Sequence, residues 1–154
     1  MNRLLAAILL LEVTAFASDL PNKRYLDLDH IKIMVSAAEA KAKELNVSVT
    51  ICVVDESGNL LFLEKGETAS LNTIQFAQRK ARHAAFYGKP SKEGADTIKK
   101  GNTEAMAFPE FFPNQGGLPI KIDGKTLGGI SASGSKSEID EAIAQAGLDA
   151  LLKQ

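Results

Sequence analysis

The chain has 154 residues and a formal charge of −1, enough for one domain with a substantial core. It lacks the basic excess that marks a nucleic-acid-binding surface. Its single cysteine, Cys52, excludes an intramolecular disulfide and any multi-cysteine metal site. A buried structural thiol in a strand is its expected role.

The first 17 residues differ in kind from the rest. Arg3 supplies a basic start, residues 4–11 are an unbroken apolar run, and Ala15-Phe16-Ala17 matches the small-residue pattern at a signal-peptide cleavage site. The apolar run is too short for a stable transmembrane helix. Residues 1–17 are therefore expected to be a cleaved signal peptide, with no stable membrane insertion afterwards and a periplasmic or secreted mature protein. Removing one Arg and one Glu leaves the formal charge unchanged. Residues 18–154 carry no repeat, charge block or low-complexity linker and read as a single domain.

Residues 27–45 predict a first helix, with Ile31, Met34, Val35, Ala38, Ala42 and Leu45 on one face. Asp27 or Asp29 serves as its cap and Asn46 as a left-handed stop. His30 falls in the first turn, where the helix dipole disfavours the charged imidazole and leaves it able to coordinate, or simply exposed. Residues 47–55 alternate as a strand, Glu56-Ser57-Gly58-Asn59 forms a turn, and residues 60–64 return antiparallel. A second long helix is predicted from a Ser70 cap to Tyr87, closed by Gly88. One of its faces carries Ile74, Ala77, Ala81, Ala84 and Ala85. Another stripe holds Phe76, Arg79, Lys80, His83, Phe86 and Tyr87. Such a stripe either grips a flat apolar ligand with acidic edges or forms a solvated basic face.

Pro90-Ser91 opens a short helix ending at Gly101. The segment Met106 to Pro113, with Phe108, Phe111 and Phe112, is a stiff apolar loop that lines a pocket or oligomer interface, or else buries itself. Residues 118–122, the Asp123-Gly124 turn and residues 125–133 form a second hairpin. Residues 138–152 close the chain as a helix, with Ser137 and Asp140 spaced as a capping box. Two hairpins predict at least four strands in one antiparallel sheet, an α+β fold.

Gly129 to Ser137 superficially resembles a phosphate loop, but Ser135 stands between Gly134 and Lys136 and the preceding strand belongs to a hairpin. A triphosphate site is excluded. A weaker anion or small-ligand loop at Gly116, Gly117, Gly134 and Ser135 stays open. No G-x-S-x-G, H-E-x-x-H or paired cysteine occurs, and nothing demands a hydrolase.

Three blocks carry a family resemblance: Val53-Val54-Asp55-Glu56-Ser57-Gly58-Asn59-Leu60, Lys80-Ala81-Arg82-His83-Ala84-Ala85, and Gly116-Gly117-Leu118-Pro119-Ile120 with Asp123-Gly124 and Gly128-Gly129-Ile130-Ser131-Ala132-Ser133-Gly134. In these the chain resembles the GlcG/HbpS-like family of haem-binding and haem-degrading proteins, and is similar to the C-terminal domain of PduO-type corrinoid adenosyltransferases. The match covers about residues 26–152. The resemblance implies a profilin-like antiparallel sheet of four to five strands flanked by helices, a symmetric homo-oligomer, and haem b or a related tetrapyrrole as ligand. His83 departs from the Thr or small residue usual there, and Glu64-Lys65-Gly66-Glu67-Thr68-Ala69 lacks the family's Arg and Asp.

The expectation is a periplasmic or secreted haem-binding protein acting in haem capture, degradation or redox sensing. A binding protein is favoured over an enzyme, and catalytic residues are not assigned. His83 is the first candidate for the haem iron and His30 the second. Phe86, Tyr87, Phe108, Phe111 and Phe112 serve as walls, and Arg79 or Arg82 pairs with propionates. The alternative is a non-haem oligomeric domain that binds a small ligand or anion, or acts in interaction without catalysis.

Overall fold

The computed structural model describes residues 22–153; the leader expected at residues 1–17 lies outside the described residues. Helix α1 spans Leu28–Glu44, β1 Thr50–Asp55, β2 Leu60–Lys65, α2 Thr73–Tyr87, α3 Ser91–Lys99, β3 Gly117–Ile122, β4 Lys125–Ser133 and α4 Ser137–Leu152. A short 3-10 turn, Thr103–Ala107, follows α3. The strands form an antiparallel sheet in the order β2-β1-β4-β3. Four helices and a four-stranded open sheet make this an α+β fold among the described residues.

Strand period and helix period divide the core in two. Alternate residues of a strand face opposite sides. Ile51 and Val53 therefore pack with Met34, Val35, Ala38, Ile130 and Ile143, beneath α1 and α4. Cys52 and Val54 face the other way, against Ala77, Ala81 and Ala85 of α2. The central strand is thus covered on both faces. Ile130 and Ile143 are fully buried, and truncating either to Ala costs ~2–5 kcal/mol. Burial also pushes the Cys52 thiol up to about 12, so it stays a neutral packing group.

Glycine decides how closely α2 approaches the sheet. A Cβ on Gly129 would stand 2.2 Å from the Ala81 carbonyl oxygen, and one on Gly117 2.2 Å from that of Lys80. Asp123 and Gly124 have φ of 50° and 75°, the paired left-handed geometry of a two-residue hairpin turn.

Several boundaries and roles differ from the sequence expectation. Helix α2 begins at Thr73, not Ser70, because the Thr73 hydroxyl and N–H both donate to the Ser70 carbonyl in a preceding turn. Strand β1 begins at Thr50 rather than at 47. Asp140 does not complete a capping box with Ser137. Its carboxylate binds buried Lys80 at 2.8 Å and accepts from the Ser135 N–H at 2.9 Å. Lys80 accordingly leaves the solvated stripe of α2: it is 2 % exposed and joins α2 to α4 across the end of β4, also donating to the Ala132 carbonyl. Burial holds the Asp140 carboxyl above its ordinary range despite the Lys80 ammonium.

Candidate functional site

His30 and His83 lie on opposite faces of the sheet, one on α1 and the other on α2. They cannot serve one ligand within a single chain.

His30 sits where the N-terminal segment enters α1. Asp27 is the helix N-cap. Its Oδ1 accepts from the His30 backbone N–H at 2.9 Å and lies 2.6 Å from His30 Nδ1. The backbone bond, more than the imidazole, holds the Asp27 carboxyl below its usual range. An ionised carboxylate only accepts, so it selects the tautomer with the proton on Nδ1 and leaves the Nε2 lone pair free. Carboxylates orient metal-binding imidazoles in this way. Both side chains are half-exposed.

The His30 ring lines a cleft of about 400 Å³ with Leu26, Ile122, Leu127 and Leu151 as apolar floor and Arg24, Tyr25 and Lys23 beside it. A second cleft of about 270 Å³ shares Lys23, Arg24, Ile122 and Leu127 and adds Lys125. Arg24 pairs with Asp123 at 2.6 Å and Lys23 with Glu56. These are exposed pairs that an incoming carboxylate can replace at little cost. The larger groove at the C-terminal end of α1, about 620 Å³, is lined by Glu39, Glu64 and Glu67 with Lys43. Burial, then the neighbouring Glu64 carboxylate, raises the Glu39 carboxyl. That acidic lining opposes an anionic ligand. No group of three His, Cys, Asp or Glu converges to hold a bare metal ion among the described residues.

The α2 candidates separate into three groups. His83, Tyr87, Phe108 and Phe111 converge on a cleft of about 190 Å³, below the ~300–1,000 Å³ usual for small-molecule sites. The His83 ring centroid is 4.8 Å from Tyr87 and 5.2 Å from Phe111. His83 is 2 % exposed, and its Nδ1 accepts from the Phe112 N–H at 2.9 Å. Burial pulls its pKa down to about 4, so it is neutral with the proton on Nε2. Coordination of a metal there requires breaking the Phe112 bond or moving that proton. The second group lies outside: Arg79 covers the Phe112 ring at 4.1 Å, and Phe112 stacks on Phe76. Third, Arg82 turns to the β1–β2 turn, donating from Nε to the Gly58 carbonyl at 2.9 Å. Phe86 is exposed and its ring meets Tyr87 edge-on. The Tyr87 hydroxyl donates to the Pro109 carbonyl at 2.6 Å.

The glycine-rich loop is turned inward. The Gly117 N–H donates to Ser91 Oγ, and the Ser135 N–H is spent on Asp140. Gly116 has φ of 122° and abuts the Lys80 ammonium and Asp140. These residues fasten α2, α3 and α4 to the sheet.

Sequence alone does not single out Asp27, Arg24 or Tyr25 for the His30 site. The Asp-x-x-His spacing at a helix start is the readable signal, since a cap side chain reaches the third helical residue.

A family model described as haem degrading protein HbpS-like matches residues 26–149. A 15.0 kDa protein from the dhaT–dhaS intergenic region of Citrobacter freundii is 33% identical over 125 residues, 77% of this chain and 86% of its own length. Among solved structures, HbpS superposes with a TM-score of 0.79 at 29% identity, covering 89% of this chain and 97% of the other. The PduOC:haem complex gives 0.76 at 26% identity, covering 82% and 95%.

Proposed function

The chain belongs to the HbpS-like family, and from that premise we propose that it binds haem in the cleft beside His30. The carrying observation is the Asp27–His30 pair, which presents a free Nε2 lone pair at the edge of an apolar cleft of about 400 Å³. Neutral imidazole is a standard axial ligand of haem iron. Leu26, Ile122, Leu127 and Leu151 would cover macrocycle surface, and Arg24, Lys23 and Lys125 would meet the propionates. Bound haem would supply a redox-active iron. The chain supplies the ligand atom, its orientation and an apolar cover. A similar protein crystallised with haem supports the ligand class.

The sole cysteine is fully buried in β1, so covalent attachment through paired thioethers is excluded. Non-covalent haem b is the form proposed. Haem capture outside the cytoplasm is the proposed role, and it rests on the leader expected at residues 1–17. Mature protein beginning at Ser18 in an export-competent host supports that location, and uncleaved protein in the cytoplasm refutes it. Self-association is also proposed. Edge strand β2 exposes Leu60 and Leu61 beside unpaired backbone groups, the kind of edge that invites pairing. Titrating haemin into the purified protein, with native mass measured alongside, tests the reading. A saturable Soret shift at a fixed haem-to-chain ratio is expected, and a spectrum identical to haemin with an unrelated protein overturns it.

A further inference from the structure

Among the described residues, no protein group uses the second ring nitrogen of His83. Its Nδ1 is occupied by the Phe112 N–H, so the ring proton resides on Nε2. No acceptor for that proton occurs among the described residues. The residue is only 2 % exposed, but Nε2 is not sealed from solvent: Glu141 Oε2 is the fully buried side-chain polar atom left without a partner among the described residues. The unpaired edge faces α3. A Cβ on Gly94 would stand 2.9 Å from His83 Cε1 and 3.3 Å from Nε2. Glycine inside a helix costs ~1 kcal/mol relative to Ala. Here it keeps open the space in front of the imidazole.

That space is the cleft of about 190 Å³ walled by Tyr87, Phe108, Phe111 and Ala105. It equals the share of about six liquid waters at ~30 Å³ each, the size of a single small ring. Lys89 and Glu93 at its mouth lie 3.5 Å apart and are both well exposed, so their charges offset each other. Thr97 and Asn102 complete the lining as neutral polar groups, the Thr97 hydroxyl already donating to the Glu93 carbonyl, so the cleft offers apolar walls, neutral hydrogen-bonding groups and no uncompensated charge.

We propose that the His83 cleft is a second binding site, for a compact neutral molecule whose carbonyl oxygen accepts the His83 Nε2–H. The site is independent of haem, since His30 lies across the sheet. An anion would enter apolar surroundings with no unpaired cation, at a desolvation cost that a ketone, aldehyde or amide avoids.

The test follows the imidazole nitrogen–proton correlations of His83 by NMR during titration with cyclohexanone. The apo spectrum should show the proton on Nε2, and cyclohexanone should move that proton resonance saturably with millimolar affinity. Tetrahydrothiopyran, a ring of similar size with a weak sulfur acceptor, should bind about tenfold more weakly, the worth of one desolvated hydrogen bond. Cyclohexanecarboxylate should also bind more weakly. Gly94→Ala should abolish saturable binding. If that variant does not fold, Ala105→Val, which narrows the cleft without touching the imidazole, takes its place. His30→Ala should leave cyclohexanone binding unchanged, which keeps this result separate from the haem reading. A proton on Nδ1, a non-saturable response, equal affinity for tetrahydrothiopyran, or tighter binding of the carboxylate would each overturn the proposal.

Discussion

Acid should weaken this fold through His83, by an amount set by its burial. The imidazole is 2 % exposed and its pKa in the folded chain is about 4, against 6.5 for the unperturbed group. The folded state therefore binds the proton less readily than the unfolded state. Stability from keeping His83 neutral is fully present above pH 6.5 and is lost as pH falls from there through about 4. At ~1.4 kcal/mol for each unit of difference, the loss reaches about 3 kcal/mol at full extent. Urea unfolding of the wild type and His83→Phe at a series of pH values between neutrality and 4 measures it. Comparing the two slopes removes contributions from carboxylates such as Asp140 and Glu39, whose raised pKa values also fall in acid. His83→Phe leaves the Phe112 N–H without its acceptor and so lowers stability by an amount independent of pH. Its stability should nonetheless fall less steeply than the wild type over this window. Parallel slopes for the two proteins would refute the burial argument.

Other consequences concern single contacts. Asp27→Asn should weaken haem binding by about 10–100-fold in a competition assay, because the amide orients the imidazole less well and lowers its basicity. Removing one partner of the buried Lys80–Asp140 pair, as in Lys80→Met, should cost ~3–5 kcal/mol in chemical denaturation. Adding Asp140→Leu to that variant should recover much of the loss, since the stranded carboxylate is then gone. Gly117→Ala should destabilise as severely as a large core truncation. Its Cβ would meet the Lys80 carbonyl oxygen at 2.2 Å, and backbone cannot rotate aside as a side chain can; thermal unfolding of the variant reads the effect.

The sequence carried the fold further than the site. Ile31, Met34, Val35 and Ala38 at helical spacing, and Ile51 and Val53 in alternation, give the faces that the core later occupies. Asp123-Gly124 declares its turn because both residues tolerate positive φ. Lys80 did not declare itself, since a lysine on a mostly polar stripe looks solvated until its partner, sixty positions away in sequence, is in place. The same gap hides the difference between the two histidines. Each is a lone His in a helix, and only tertiary contacts show that Phe112 engages Nδ1 of one while Asp27 engages Nδ1 of the other. Phe108 and Phe111 of the aromatic loop face the His83 cleft while Phe112 stacks under Arg79, a division that one run of aromatic residues does not announce. Capping was legible where the cap is local, at Asp27. It was not where Asp140 abandons its own helix start for a cation on another helix.

The identity of the haem ligand is tested most directly by the absorption spectrum of the haemin-loaded His30→Ala variant with and without added imidazole. Loss of the wild-type Soret position, and its return when free imidazole fills the vacated place, is predicted, with His83→Phe keeping the wild-type spectrum. A His30→Ala spectrum indistinguishable from wild type, or a wild-type spectrum lost only in His83→Phe, would contradict it.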